Sequence, residues 1–220
     1  MSHPKPIRDS FLLCYVTDKS ALSASPVGSR TFLLEKVKAA AAAGVDWIQI
    51  REKQLSGREL ADLANEALRV APAPCRVLIN DRLDVACAVG AAGVHLTEQG
   101  ISVADARQFA RERGLPASFL VGRSTHSFDS ARAAADSGAN YIIFGPVFST
   151  PSKAAYGPPL GIERLATICR SAAIPVLAIG GITPENAGEC IAAGVAGIAA
   201  IRIFQNASDL PAVVHQLRQL

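Results

Sequence analysis

Four times along this chain an alanine-rich stretch runs through a glycine into a short apolar run. The copies lie at 42–45, 91–94, 137–139 and 192–195, and they lead into WIQI, VHL, NYIIF and GIAAI. Glycine in that place ends a helix in a left-handed turn, where a Cβ would be strained. The runs that follow lack polar alternation, as expected of parallel strands covered on both faces. A helix-to-strand unit that recurs in this way restricts the chain to parallel α/β architectures.

The same reading along the whole chain gives eight strands, at 11–18, 47–52, 76–81, 93–96, 118–124, 141–147, 175–181 and 197–203. A helical stretch follows each. Ser56 with Glu59 three residues on predicts a capping box. Thr183 followed by Pro184 predicts a cap and a first helical position, and a further helix is expected to begin near Gly161. Eight β-α units in 220 residues predict an α/β fold of one domain, a single (β/α)8 TIM barrel spanning 1–220. Residues 1–10 are expected to form a flexible N-terminal extension. A doubly wound open sheet is the alternative.

Half of the residues are hydrophobic, enough for one core. The net charge of +3, from 22 basic and 19 acidic residues, is too small and too evenly spread to suggest nucleic acid as a partner. The start MSHPKPIRDS lacks the apolar core of a signal peptide. No apolar run approaches the ~20 residues of a membrane helix. The five cysteines, at 14, 75, 87, 169 and 190, include no CxxC pair. They read as small buried residues in a reducing, cytoplasmic setting.

In a (β/α)8 barrel the chemistry gathers at the carboxyl ends of the strands, and this chain concentrates polar residues there. Strand 1 ends in Thr17-Asp18. Strand 2 carries Gln49 and ends in Arg51-Glu52-Lys53. Strand 3 ends in Asn80-Asp81-Arg82, and strand 4 holds His95 before Thr97-Glu98. Strand 5 ends in Gly122-Arg123-Ser124-Thr125-His126-Ser127. Strand 6 runs into Thr150-Pro151-Ser152-Lys153, strand 7 ends in Gly180-Gly181, and strand 8 holds Ile201 and Arg202.

Each of these has a plainer reading. Asn80 and Asp81 also suit a helix cap, His95 a satisfied core histidine, and Glu98 a surface position. Cys14 and Tyr15 read as core. The cations Arg51, Lys53, Arg123, Lys153 and Arg202 nevertheless form a rim suited to an anion, phosphate above all. Gly180 and Gly181 would let phosphate oxygens reach backbone N–H groups at a helix entrance. The segment FSTPSKAAYGPP is long enough to act as a lid.

Taken in order, Gln49-Ile50-Arg51-Glu52-Lys53, Asn80-Asp81-Arg82, Val94-His95-Leu96, the GRSTHS stretch, Gly145-Pro146-Val147-Phe148, Thr150-Pro151-Ser152-Lys153 and Ala178-Ile179-Gly180-Gly181-Ile182 resemble the thiamine-phosphate synthase/TenI superfamily. The resemblance runs from strand 1 to strand 8. It implies a barrel enzyme that binds a small phosphorylated thiazole and follows one of two chemistries. A synthase joins hydroxymethylpyrimidine diphosphate to thiazole phosphate and releases pyrophosphate. A TenI-type tautomerase aromatises a carboxythiazole phosphate. A third reading is a non-catalytic barrel that binds thiamine intermediates.

For a synthase the resemblance implies that Arg51, Lys53, Asn80 and Lys153 hold pyrophosphate and that Asp81 holds Mg2+. Two positions depart from that pattern. Gly100 stands where a second metal-binding aspartate is expected, and Arg202 stands where a small hydroxyl residue is usual. The forms GRSxHS and FGPVF are closer to TenI. There His126 would shuttle the proton as general acid/base, without metal. The tautomerase is therefore the favoured expectation and the synthase the alternative. In either case Gln49, Arg51, Lys53, Asn80, Ser124, Thr150, Ser152, Lys153, Gly180, Gly181, Ile201 and Arg202 are expected to contact the ligand. Barrels of this kind often pair, so a homodimer is an assembly the fold permits.

Overall fold

The computed structural model describes residues 11–19, 29–150 and 157–220. Its strands are β1 (Leu12–Val16), β2 (Trp47–Ile50), β3 (Arg76–Asn80), β4 (Gly93–Leu96), β5 (Leu120–Thr125), β6 (Tyr141–Phe144), β7 (Val176–Ile179) and β8 (Gly197–Ala200). The helices are α1 (Ser29–Ala42), α2 (Gly57–Val70), α3 (Leu83–Ala88), α4 (Val103–Glu112), α5 (Phe128–Asp136), α6 (Ile162–Ser171), α7 (Ala187–Ala192), α8 (Arg202–Gln205) and α9 (Leu210–Arg218). The strands close in sequence order. Every neighbouring pair is parallel, and β8 returns to β1 with Leu13 opposite Ile198. This is the expected (β/α)8 barrel.

The glycine-punctuated repeat works as expected at three of its four places. Gly44, Gly138 and Gly194 have φ of 91°, 88° and 91°. Beyond each, the next residue donates its N–H back across the turn: Val45 to the Ala40 carbonyl, Ala139 to Ala134 and Val195 to Cys190. This pattern terminates a helix and turns the chain toward the next strand. The copy at 91–94 is out of phase. There the left-handed residue is Gly90, with φ 68°, and Gly93 already belongs to β4. Gly93 instead lets two strands approach, since a Cβ there would lie 2.3 Å from the Leu120 carbonyl oxygen.

Two apolar layers follow from the strand alternation. One face of each strand packs under the helices in a large outer core that includes Tyr15, Ile48, Ile79, Val94, Ile142 and Ile198. The other face fills the barrel interior with Leu12, Cys14, Trp47, Leu78, Leu120, Tyr141 and Leu177. The Trp47 and Tyr141 rings meet at 4.7 Å between centroids. Gly122 makes room for them, because a Cβ there would sit 2.1 Å from the Tyr141 ring.

The expected capping box forms at Ser56–Glu59 of α2, and Ser127 caps α5. Several strands are shorter than expected, β1, β2, β6, β7 and β8 each ending two or three residues early, and two boundaries bear on the site. The helix after β7 begins at Ala187, not at Pro184, because the Asn186 side chain accepts the Thr183 N–H (2.8 Å) and holds a turn there first. Strand 8 stops at Ala200, and Arg202 opens α8. The apolar run GIAAIRI carries no punctuation that would reveal this end. All five cysteines are free. No helix among the described residues is long and apolar enough to cross a membrane.

Candidate active site

Four consecutive strands, β2 to β5, each bring one polar side chain to the interior face at the carboxyl end of the barrel. Gln49 donates from Nε2 to Asn80 Oδ1 at 2.9 Å. His95 lies with Nε2 2.9 Å from Ser124 Oγ and Nδ1 3.2 Å from the Tyr141 hydroxyl. The remaining arc contributes Val16 of β1, Ile143 of β6, Ile179 of β7 and Ile201 just beyond β8 to the interior apolar cluster. The mouth is therefore polar on one arc and apolar on the other, a surface suited to a flat ring with polar edges.

Burial decides the state of these groups. His95 is 2 % exposed. Desolvation pulls its imidazole pKa down to about 3, with Asp81 and Arg123 acting as smaller, opposed influences. The ring is thus neutral at physiological pH. Gln49 is equally buried, yet among the described residues its Oε1 finds no hydrogen-bond partner. A buried carbonyl oxygen without a partner is costly, and a ligand N–H would relieve it.

Above this layer, Asp81 has φ 63°, left-handed in a residue other than glycine. The Arg82 N–H reaches back to the Asn80 carbonyl at 2.8 Å and closes a tight turn around it. Asp81 Oδ1 accepts from Thr97 N (3.2 Å) and Thr97 Oγ1 (2.9 Å). The plainer reading of Asp81 as a helix cap does not hold, since α3 is preceded by Arg82 and has no side-chain cap. A Cβ at Gly100 would lie 2.5 Å from Asp81 Oδ1. The position expected to carry a second carboxylate therefore does face the first, but here it has no side chain.

Glu98 is not a surface residue, and among the described residues it makes no hydrogen bond to Asp81. Its Oε2 lies 2.7 Å from His126 Nδ1, and its Oε1 accepts the His126 N–H at 3.2 Å. Burial acts to raise the Glu98 carboxyl, but bonds from Ser130 and His126 outweigh it and hold the group below its ordinary range. The sequence offered no sign of this pair. It depends on β4 and β5 being adjacent, and on Ser127 starting α5 so that His126 stays on the preceding loop.

The cationic rim is thinner than expected. Arg51 stands 3.6 Å from Asp18, and its N–H donates to Thr17 Oγ1. Thr17 in turn donates to Glu52 Oε1 at 2.6 Å, which braces the β2 loop from below. Lys53 is exposed beside it. Arg123 is not a rim cation. The alternation of β5 turns it away from Ser124, and its guanidinium binds the carbonyls of Glu98 and Ile101. Arg202 is exposed at the start of α8, whereas Ile201 stays against the interior.

Gly180 and Gly181 have φ of 100° and 66°, and their missing side chains accommodate the β6 loop. A Cβ at Gly180 would lie 2.6 Å from Pro146, and one at Gly181 2.5 Å from the Ser149 carbonyl oxygen. They lie several residues before α7 rather than at its entrance. Thr150 ends the described part of the β6 loop, and Ser152 and Lys153 lie outside the described residues. The sequence also missed Gln205, which is 1 % exposed. It accepts from the Tyr15 hydroxyl at 3.1 Å and donates to the Asp18 carbonyl at 2.9 Å, tying β1 to α8.

Residues 13–204 match the family described as thiamine monophosphate synthase. The chain belongs to the thiamine monophosphate synthase family. A thiamine-phosphate synthase of Methanoculleus marisnigri is 41% identical over 180 residues, covering 81% of this chain and 83% of its own. One of Syntrophomonas wolfei is 37% identical over 217 residues, covering 97% and 98%. The solved thiamine phosphate pyrophosphorylase of Pyrococcus furiosus superposes with a TM-score of 0.80 at 31% identity, over 95% of this chain and 94% of that one.

As a member of the thiamine monophosphate synthase family the chain is an enzyme of thiamine biosynthesis. Its relatives carry synthase names, so the tautomerase expectation gives way to its alternative as the leading reading. The donor set bears on the metal that such a reading implies. No cluster of three or more His, Cys, Asp or Glu suited to a metal exists among the described residues, and Glu98 is committed to His126. Asp81 alone suits an ion that shares its coordination with ligand phosphates and water, the usual mode for Mg2+, rather than a protein cage.

Proposed function

We propose that this enzyme is a thiamine-phosphate synthase that joins hydroxymethylpyrimidine diphosphate to thiazole phosphate. The observation that carries the reading is the similarity, over nearly the whole chain, to proteins of that name. The site agrees with it. Gln49 Oε1, buried and without a partner among the described residues, would accept from an amino-substituted ring lying against the apolar arc of Ile143, Ile179 and Ile201. Asn80, held by Gln49, and the cations Arg51 and Lys53 would face the diphosphate, with Thr150 beside it; Ser152 and Lys153 remain contacts expected from the sequence, outside the described residues. Gly180, Gly181 and Ile201 would border the thiazole phosphate.

The reaction makes a bond from the thiazole nitrogen to the pyrimidine methylene and breaks the methylene–oxygen bond. The electron pair leaves with pyrophosphate. Charge builds on the departing oxygens, which is where fixed cations lower the barrier. Mg2+, if held between Asp81 and the diphosphate, would neutralise further charge there. Asp81 is set in place by its left-handed turn and by Thr97. Arg202, exposed on α8, has no role that its position supports.

Release of pyrophosphate from the pyrimidine diphosphate tests the reading. It should require thiazole phosphate and fall sharply in Arg51→Ala. Pyrophosphate release independent of thiazole phosphate would defeat the condensation.

One observation favours the tautomerase as a second reading. The Glu98–His126 pair is the arrangement of a carboxylate-oriented general base, and Gly100 leaves the metal position with one carboxylate. His126→Asn should then abolish aromatisation of carboxythiazole phosphate in the presence of chelator. An unchanged rate would remove this reading.

A further inference from the structure

Three side chains run in a line from the barrel floor to its mouth: Tyr141, His95 and Ser124. The first two are 0 % and 2 % exposed, and Ser124 is half-buried at the end of β5. The Tyr141 hydroxyl meets His95 Nδ1 at 3.2 Å, and Ser124 Oγ meets His95 Nε2 at 2.9 Å. Around Tyr141 lie Trp47, Cys14 and the bare backbone of Gly122. Among the described residues the Tyr141 hydroxyl hydrogen-bonds only to His95.

A neutral imidazole can occupy this line in two ways. If Nδ1 carries the proton, it donates to the tyrosine oxygen, and the tyrosine O–H is left without an acceptor in the apolar interior. If Nε2 carries the proton, the tyrosine O–H donates to Nδ1, and only a spare lone pair on the phenol stays unused. A buried orphan donor costs much more than a second unused lone pair. The second arrangement therefore wins. Nε2–H then donates to Ser124 Oγ, and the serine hydrogen cannot point back at the ring.

We infer that Tyr141 and His95 fix the hydrogen-bond polarity of Ser124, so that Ser124 meets a ligand as a donor to an acceptor atom, a ring nitrogen or a phosphate oxygen. His95 and Tyr141 are positioning residues, and they act on the ligand only through Ser124. The inference rests on the reading that Ser124 faces the ligand. The tautomer itself does not depend on which reaction the enzyme performs.

Two-bond proton–nitrogen correlation spectra of the full-length 15N-labelled chain at neutral pH read the tautomer directly. His95 should show a protonated Nε2 and an unprotonated Nδ1. A protonated Nδ1, alone or in a doubly protonated ring, would overturn the inference. A second measurement uses thiamine phosphate as the probe in calorimetry. His95→Gln keeps an acceptor for Tyr141 and a donor for Ser124 and should bind within about twofold of the unmodified chain. His95→Phe fills the same space without either bond and should bind about tenfold more weakly, the loss of roughly one hydrogen bond. Equal weakening in both variants, with melting temperatures unchanged, would also overturn it. Failure of the unmodified chain to bind thiamine phosphate would count against the synthase reading and leave the tautomer result standing.

Discussion

Gly100 and His95 show how single residues set the character of this site. A side chain at Gly100 would press against Asp81 Oδ1 and Thr97 Oγ1, at 2.5 Å and 3.0 Å from its Cβ. Gly100→Asp should therefore place two carboxylates together. Their repulsion should lower the melting temperature without metal, and MgCl2 should raise it by more than in the parent chain. Equal Mg2+ responses would show that the two positions do not share an ion. For His95 the sign runs from its depressed pKa. The unfolded ring gains a proton below about 6.5, whereas the folded ring, pushed down by burial, waits until about 3. Its contribution to stability is complete above the upper value. It is lost as pH falls through that window, by up to about 1.4 kcal/mol per pH unit. Urea midpoints at pH 7 and pH 4 should differ less in His95→Gln than in the parent. An equal difference would contradict the depressed pKa.

Among the elements, helix ends were the most legible and strand ends the least. Glycine and serine act through their immediate neighbours, so Gly44, Gly138, Gly194 and Ser56 announce their turns in the sequence. Strand ends depend on what the neighbouring strand offers, and the sequence does not print register. That is why the apolar run suggests a β8 reaching Ile203 and why Gly93 resembles a cap. Gly138 isolates the local contribution. Its φ is 88°, and a Cβ there would meet nothing within 4 Å. Gly138→Ala should thus cost about 1 kcal/mol from backbone strain alone, and Gly138→Asn less. Chemical denaturation resolves the two. A neutral alanine variant would mean that the turn relaxes.

At the scale of the whole molecule, the barrel was legible because eight similar units repeat, and strand order then carries Gln49, Asn80, His95 and Ser124 to one mouth. What stayed hidden depends on pairs across strands. Glu98 with His126, and Tyr141 with His95, lie 28 and 46 residues apart, and no spacing rule joins them. The same adjacency turns Arg123 from an expected rim cation into a brace for the β4 loop. The reaction is the property of the assembled mouth, and the two chemistries this barrel could host make different demands on it. The most direct measurement therefore offers the purified chain pyrimidine diphosphate, thiazole phosphate and Mg2+ in one reaction and carboxythiazole phosphate with chelator in another. Thiamine phosphate should form in the first, and Asp81→Asn should reduce it by about a hundredfold, as for loss of a charged group acting on the transition state. No thiamine phosphate in the first, together with His126-dependent aromatisation in the second, would contradict the synthase reading.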